Sequence, residues 1–195
     1  MTLSTNSKLL DNKLFEAIHS RHSVRAFKPG PVDKDSIQVL LDAAVRAPTA
    51  QHIEPWSFVV VQNGQLLKEL SDLASPVFIE RLKRRGGQPL DAYAEQDFNI
   101  FYDASTLIIV CANIEDPYAE PDCWLAAENV LLAAWGLGLG GCIIGSAIEA
   151  MNLDPVKKKL GIPSACKVIA PIVIGVPQVE PVPSPRKAPV VHGWL

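Results

Sequence analysis

Residues 47–62 read APTAQHIEPWSFVVVQ, and this stretch decides how the rest of the chain is interpreted. A helical pattern ends at Pro48, a short polar loop follows, and a Pro-Trp pair opens an apolar run. The run Phe58–Val61 is short and continuously β-branched or aromatic, which predicts a strand covered on both faces. Ligands often bind at loops that flank strands, so the residues from Pro48 to Trp56 are the first candidates for a site. The plainer alternative is an ordinary connection, with Trp56 filling the core.

Upstream of this stretch, two helices are expected. The first runs from about Asp11 to Ser20, with Asp11 as its candidate cap. The second begins after Asp33, which suits an N-cap, and apolar residues then repeat at helical spacing until Pro48. Between them lies a polar cluster, RHSVR at residues 21–25. Arginine forks suit a phosphate, although a solvated helix end would explain five such residues equally well.

Downstream, helices and short buried strands continue to alternate. The next predicted elements are a helix over 65–73 with Leu66, Leu67, Leu70 and Leu73 inward, a helical continuation over 78–85, a break at 86–89 and a helix over 92–102. They are followed by a strand over 105–112, a helix over 122–135 and a short strand over 142–144. The last two elements are a helix over 148–160 ended by Gly161 and a strand over 167–176. This order favours an α+β fold, an α/β-type sandwich in which helices cover a small central sheet.

Two segments indicate contacts beyond a single chain. The helix over 122–135 is apolar nearly all round, which is typical of a helix buried in a core or a subunit interface. Residues 177–195 are rich in proline and cannot form a core alone, yet they end in VVHGWL. We therefore predict one domain over 1–195 in which 177–195 is an arm that docks on a partner subunit.

Composition excludes several classes of function. The chain has 195 residues, 48% of them hydrophobic, with a net charge of −3 and no large basic block, so nucleic acid is not an expected partner. The short basic runs at 81–85 and 157–159 are interpreted as solvated helix faces. No secretory signal is expected, and the longest apolar stretch is too short and too rich in glycine to span a membrane. These features predict a cytoplasmic protein.

No metal site and no nucleophilic triad are indicated. The four cysteines form no C-x-x-C pair, and no histidine lies at metal-ligand spacing from them. Only four histidines occur, and catalysis by a side-chain nucleophile is poorly supported. Chemistry carried by a bound cofactor fits the sequence better.

The segment GLGLGG at 136–141 matches G-x-G-x-x-G but does not predict a dinucleotide fold. That motif requires a strand before the glycines and a helix after them, whereas here a helix precedes and an extended segment follows. We interpret the glycines as a helix end at which two backbone segments approach closely. Backbone N–H groups after Gly141 could then lie against a ligand.

Taken together and in order, these motifs resemble the FMN-dependent nitroreductase family over nearly the whole chain. They are RHSVR at 21–25, the A-P-T-A-x-H-x-E-P-W stretch that begins at Ala47, GLGGCIIG at 138–145, and Pro185-Arg186-Lys187. The resemblance implies a homodimer with FMN bound in two interfacial clefts, and a C-terminal arm exchanged between subunits around a small mixed or antiparallel sheet.

The resemblance also implies a set of cofactor-binding residues. Arg21 and Arg186 would hold the phosphate, and Ser23 and Arg25 would meet the ribityl chain and the pyrimidine edge. Backbone N–H groups of Gly145 and Ser146 would meet flavin N5, where they would stabilise developing negative charge. The other residues placed at the cofactor are His22, Pro48, Thr49, Ala50 and His52, with Pro48 to Ala50 coming mainly from the second subunit.

The implied activity is ping-pong hydride transfer through flavin N5, from NADH or NADPH to a small-molecule acceptor such as a nitroaromatic or a quinone. The form H-x-E-P-W at 52–56 also resembles iodotyrosine deiodinases and their relatives, so a reductive dehalogenase or another specialised flavin reductase is an alternative. A flavin-binding regulator or an FMN-storage protein without turnover is a further alternative. A lid that sets specificity is expected within 78–102, and Glu54 is expected to be at least partly buried and to fix its loop.

Overall fold

The computed structural model describes residues 12–85, 98–179 and 185–195. Its strands are β1 (Trp56–Val61), β2 (Thr106–Ala112), β3 (Gly140–Ile143) and β4 (Lys167–Gly175). Its helices are α1 (Lys13–Ser20), α2 (Lys34–Ala44), α3 (Gly64–Arg85), α4 (Ala119–Gly136), α5 (Ile148–Met151) and α6 (Asp154–Leu160), with a 3₁₀ turn at Ala50–His52. The strands form one antiparallel sheet in the order β1-β2-β4-β3. The expected α+β class and small central sheet are confirmed.

The sheet is buried because helices cover both of its faces. Every residue of β2 is buried, and so is every residue of β4 after Lys167. On one face Ile108 and Ile172 pack with buried residues of α2 and α4. On the other face Leu107 and Val173 pack with residues of α3 and α5. This two-sided cover explains why both central strands read as unbroken apolar runs.

The first predicted strand differs from this picture. β1 lies at an edge of the sheet, pairing only with β2 among the described strands, and Val60 is 37% exposed. The prediction of cover on both faces is confirmed only in part for β1, because Phe58 packs on one core cluster and Val59 on the other, but both are only partly buried. A short apolar run does not by itself distinguish a central strand from an edge strand.

The helix starts follow local capping chemistry. The cap of α1 is Asn12, whose Oδ1 accepts from the Leu14 N–H at 2.8 Å, so the prediction of Asp11 was wrong by one residue. Asp33 caps α2 as predicted, and its Oδ1 accepts from the Ser36 N–H. That helix ends at Ala44, before Pro48 is reached.

The 65–102 region contains one long helix and no second helix in its described part. α3 runs through Pro76 without a break, so the two predicted helices are one. Leu67 and Leu70 are buried as predicted, whereas Leu73 is 48% exposed. The predicted break at 86–89 and most of the helix over 92–102 lie outside the described residues. Residues 100–103 form a turn, in which Tyr102 has a φ of 55°.

The helix predicted over 148–160 is two short helices. They are separated at Asn152, whose side-chain amide donates to the Ile148 and Val168 carbonyls and accepts from the Val168 N–H. These bonds to β4 explain the break, and no sequence period signals them. Gly161 ends α6 with a φ of 69°, as predicted. Lys157 is buried and donates to the Ser164 carbonyl, so the 157–159 run is not wholly solvated.

Candidate functional site

The RHSVR cluster lies along the outer edge of the sheet. Its backbone forms a parallel bridge from Ser23 to Gly141, and the Val24 N–H donates to the Gly141 carbonyl at 3.0 Å. Farther on, the backbone N–H of Lys28 donates to the Val176 carbonyl, and the backbone N–H of Gln178 donates to the Ala26 carbonyl. The cluster is therefore held as an extended segment beside β3 and the end of β4, with Val24 buried and Ser23 and Arg25 exposed.

Two glycines make this close approach possible. A Cβ added to Gly140 would lie 2.5 Å from Val24 Cγ2. A Cβ added to Gly141 would lie 2.8 Å from side-chain atoms of Leu131 and Ile174 and 3.2 Å from the Val173 carbonyl. The interpretation of GLGLGG as a close backbone contact is confirmed, with α4 before the glycines and β3 after them.

Arg21 lies at the start of the cluster, as the C-cap of α1. Its Nε is 3.0 Å from Oε1 of Glu128, a residue in the middle of α4. The geometry is that of an ion pair without an aligned hydrogen bond, because the N–H does not point at the carboxylate oxygen. Glu128 interrupts an otherwise apolar helical segment, and its partner cannot be read from sequence spacing.

The rest of the cluster makes weaker contacts. Nδ1 of His22 lies 2.8 Å from the Ser20 carbonyl, and this local contact satisfies one ring nitrogen. The Arg25 guanidinium carbon lies 5.9 Å from the centre of the Tyr102 ring, within the range of a cation–π contact. Arg25 is exposed, so its donors are accessible from solvent.

Beyond β3 the chain makes a tight turn at Gly145 and Ser146. The Ala147 N–H donates to the Ile144 carbonyl at 3.0 Å, which closes the turn. The N–H groups of Gly145 and Ser146 have no hydrogen-bond partner among the described residues. A Cβ added to Gly145 would meet nothing within 4 Å, so the space beside this turn is open. Two backbone donors without a partner among the described residues therefore lie in a turn with open space beside it, next to the edge strand that the arginine cluster borders.

Arg81 of α3 approaches this turn from the other side. Its Nη2 donates to the Gly145 carbonyl at 3.5 Å, a long hydrogen bond. The guanidinium carbon lies 5.4 Å from the centre of the Phe78 ring. The sequence placed Arg81 in a solvated basic run, and that interpretation is wrong for this residue, which is only partly exposed.

The loop after α2 has an unusual backbone. Gln51, His52 and Glu54 have φ values of 54°, 57° and 48°, a left-handed conformation that non-glycine residues rarely adopt. The Ala50 N–H donates to Oδ2 of Asp122, a carboxylate in the first turn of α4 that is only 5% exposed. Asp122 therefore anchors the loop, and sequence reasoning missed it because it looked like an ordinary first-turn acid.

Glu54 does not have the environment expected from the sequence. Both His52 and Glu54 are exposed, and neither side chain makes a hydrogen bond or ion pair with the described residues. The prediction that Glu54 is partly buried and fixes the loop is wrong in this chain. Trp56 does fill the core as expected, with 8% of its surface exposed.

One chain does not bring all the predicted site residues together. The loop at 48–52 lies at the N-terminal end of α4, and Gly140–Gly145 follows its C-terminal end. Fourteen residues separate Asp122 from Gly136, roughly 20 Å along a helix. Arg186 lies on the exposed segment 185–195 and makes no hydrogen bond or ion pair with the described residues. The arginine cluster and the Gly145 turn share one edge, whereas the 48–52 loop lies at the other end of α4.

Away from this edge, the described chain has a large surface cavity but no metal-binding cluster. A cavity of about 660 Å³ is bordered by Gly30, Gln62, Ser71 and Asn99, but its polar groups are bonded to neighbours. No group of three metal-ligating side chains occurs among the described residues. Within the same residues, no helix is both long and apolar enough to cross a membrane.

The fold and the site define a class of protein: an antiparallel α+β sandwich with backbone donors and arginines on one sheet edge. The family model of the nitroreductase family matches residues 18–176. A protein of Archaeoglobus fulgidus, provisionally named NADH dehydrogenase/NAD(P)H nitroreductase, is 30% identical over 168 residues, which are 84% of each chain. The chain belongs to the nitroreductase family, and the resemblance noted in the sequence is confirmed.

Two further comparisons bear on the site. The crystal structure of a nitroreductase with bound FMN from Bacteroides fragilis has a TM-score of 0.79 and 27% identity, covering 94% of this chain and 98% of that one. An iodotyrosine deiodinase of Thermotoga neapolitana is 25% identical over 187 residues, 92% of this chain and 96% of the relative. The second similarity agrees with the H-x-E-P-W form at 52–56.

Proposed function

We propose that this chain binds FMN and uses it as an NADH- or NADPH-dependent oxidoreductase. The observation that carries the proposal is the pair of free N–H groups at Gly145 and Ser146, on the same sheet edge as Arg21 and Arg25. A flavin ring needs hydrogen-bond donors at one end of the site, and its phosphate needs cations at the other.

The residues present fit this cofactor. Because Ser23 runs parallel to Gly141, the chain direction places Arg21 at one end of the edge and Arg25 nearer the Gly145 turn. Arg21 would hold the phosphate, Ser23 and His22 would flank the ribityl chain, and Arg25 would meet the pyrimidine edge. The Gly145 turn would contact the ring, since a Cβ built on Gly145 meets nothing within 4 Å.

FMN, when bound, would supply the transfer of a hydride from reduced nicotinamide to an electrophilic acceptor in two separate half-reactions. The protein residues would bind and orient both partners at the open side of the turn. The N–H donors of Gly145 and Ser146 would favour added negative charge beside them. Nitroaromatic compounds and quinones are the proposed acceptors, as the family name suggests.

We further propose a homodimer, because the single chain leaves much apolar surface uncovered. α1 packs on α4, and large apolar side chains of both helices are exposed: Leu14 at 58%, Phe15 at 40%, Ile18 at 48% and Leu125 at 46%. In the arm, Trp194 is 92% exposed. Burying these groups against a second copy would bring Pro48, Thr49, Ala50 and His52, and also Arg186, to the partner's site. One domain with a docking arm over 177–195 follows from this arrangement.

The visible spectrum of the purified protein tests cofactor binding, and an NAD(P)H oxidation assay with nitroaromatics and quinones tests turnover. Arg21→Ala and Arg186→Ala should each weaken FMN binding by about 1.5–3 kcal/mol, as expected for a hydrogen bond to a charged group. Wild-type FMN affinity in both variants would contradict the phosphate assignment.

Deletion of residues 185–195 tests the dimer. The truncated chain should have a lower melting temperature and lose FMN, because Arg186 is removed with the arm. Light scattering of the wild-type and truncated proteins measures the assembly directly. A truncated chain that is stable, yellow and monomeric would contradict the arrangement.

A second function, reductive dehalogenation, is supported by the H-x-E-P-W form and by the similarity to an iodotyrosine deiodinase. Release of halide from halogenated phenols under reducing conditions would favour it over nitroreduction. Bound FMN without turnover on any acceptor would instead favour a flavin-binding regulator or a storage protein.

A further inference from the structure

Arg81 is a partly buried cation that forms no ion pair with the described residues. Its Nε is shielded from solvent and has no hydrogen-bond partner in the described part of the chain. None of the ion pairs formed by the described residues includes it, and the acid immediately before it in the chain, Glu80, pairs with Lys83 instead. Keeping a partly buried charge without a partner is unfavourable, so its position calls for a physical reason.

The position of Arg81 is defined by the Gly145–Ser146 peptide. Its Nη2 donates to the Gly145 carbonyl, and that carbonyl belongs to the same peptide unit as the Ser146 N–H. No cis peptide bond occurs in the described chain, so the carbonyl and the N–H of this unit point in opposite directions. Arg81 therefore lies behind the peptide, and the free N–H of Ser146 points away from it.

This arrangement makes the Ser146 N–H a stronger donor. A cation at the carbonyl end polarises the peptide, and hydrogen bonds linked through one peptide strengthen each other. The guanidinium also adds positive potential to the site, where Arg25 beside Tyr102 contributes a second cation and Glu128 partly offsets the charge of Arg21. A ligand that accepts from the Ser146 N–H would therefore bind more tightly as its negative charge increases.

We propose that Arg81 is a positioning residue for the cofactor site, which makes the Gly145–Ser146 turn prefer reduced FMN over oxidised FMN. The inference rests on the proposed function, since it takes the turn to be the surface that the ring contacts. On reduction FMN takes up two electrons and one proton, the equivalent of a hydride, so the reduced ring carries one more negative charge. Arg81 acts through the peptide and needs no contact with the cofactor or the acceptor.

The experiment compares the dissociation constants of oxidised and dithionite-reduced FMN for the full chain, measured anaerobically. The variants are Arg81→Gln, which keeps a donor without the charge, and Arg81→Lys, which keeps the charge. Lys83→Gln is the matched control, because Lys83 is on the same helix and pairs with Glu80 at the surface. Thermal melts of the proteins without FMN show whether each variant is folded.

Arg81→Gln should lower the preference for reduced FMN about tenfold, which is roughly 30 mV for a two-electron couple. Arg81→Lys should retain most of the preference, and Lys83→Gln should retain all of it. If the ratio of the dissociation constants of oxidised and reduced FMN is unchanged in both Arg81 variants, the inference is overturned, although FMN binding itself is intact. If Arg81→Lys alone loses the preference for reduced FMN, the inference is also overturned, because the geometry of the side chain and not its charge would then cause the preference. A wild-type chain that binds no FMN would overturn the proposed function and this inference together.

Discussion

Gly145→Ala separates the stability of the fold from binding at the proposed site. In the chain itself the added methyl group meets nothing within 4 Å, and the φ of Gly145 is not in the left-handed region. Replacing glycine by alanine at a compatible position reduces the freedom of the unfolded chain and stabilises by about 0.4–1 kcal/mol. The melting temperature of the protein without FMN should therefore stay the same or rise slightly.

FMN binding should respond in the opposite direction. If the ring lies against the turn, the methyl group occupies space that the ring needs, and forced overpacking costs about 1–3 kcal/mol. The dissociation constant of FMN should then rise by about 5- to 150-fold, since 1.4 kcal/mol corresponds to a factor of ten. Fluorescence titration with FMN and a thermal melt of the same preparation measure the two effects.

Gly64→Ala is the matched control for this prediction. Gly64 begins α3, its added Cβ also meets nothing within 4 Å, and it borders the cavity beside Gln62, away from the Gly145 turn. Its FMN affinity should equal that of the wild type. Equal affinities for wild type, Gly64→Ala and Gly145→Ala would show that the ring does not lie against Gly145, and the reasoning from the free N–H groups would be refuted.

Four further outcomes follow from side chains of known environment. Glu128→Gln should tighten FMN binding, because it frees Arg21 to hold the phosphate. The ion pair that is lost is partly exposed and worth only about 0.2–1 kcal/mol. Weaker FMN binding in a titration would contradict this prediction. Burial raises the pKa of Cys111 and Cys123 to about 12 from an ordinary value of 9.0, so both thiols should resist an aromatic disulfide reagent at pH 8 until the protein is unfolded. The unfolded chain loses these protons first, so the free energy of unfolding should fall as pH rises above 9.0, and a rise in urea titrations would be the wrong sign. Trp56→Ala should lower the free energy of unfolding by about 3–5 kcal/mol in the same titration, as for other buried aromatics, and a loss under 1 kcal/mol would rule out an anchoring role.

Much of this fold could be predicted because the sequence signals are local. The continuous apolar runs of β2 and β4 and the cap at Asp33 depend on neighbouring residues, and each lies where its pattern indicates. The predictions fail where contacts between residues distant in sequence determine the structure. The break at Asn152 depends on bonds to β4, and the edge position of β1 depends on the strand order.

The candidate site shows the same division. The glycines and the RHSVR cluster could be found from the sequence, since their chemistry is carried by residue type. Arg81, Asp122 and Glu128 could not be found, because each is defined by a partner 64, 72 or 107 positions away. A basic run, a first-turn acid and a lone acid in an apolar helix are all common, so no local feature distinguished them.

The loop at 50–54 provides the last prediction, which transfers a role from Glu54 to Asp122. Three left-handed residues in this loop cost backbone energy, so the surrounding structure must hold them in place. Glu54 is exposed and cannot do so, whereas the buried carboxylate of Asp122 accepts from the Ala50 N–H at 3.0 Å.

Asp122→Ala would leave that N–H without its acceptor and should lower the free energy of unfolding by about 1–3 kcal/mol, the cost of an unsatisfied buried group. Asp122→Asn keeps an acceptor oxygen, so its free energy of unfolding should fall by less. Glu54→Ala should have the same free energy of unfolding as the wild type in a urea titration. If the loop serves the partner's FMN, Asp122→Ala should also weaken FMN binding while Glu54→Ala does not. A Glu54→Ala variant that is less stable than Asp122→Ala would mean that the exposed carboxylate, and not the buried one, holds the loop.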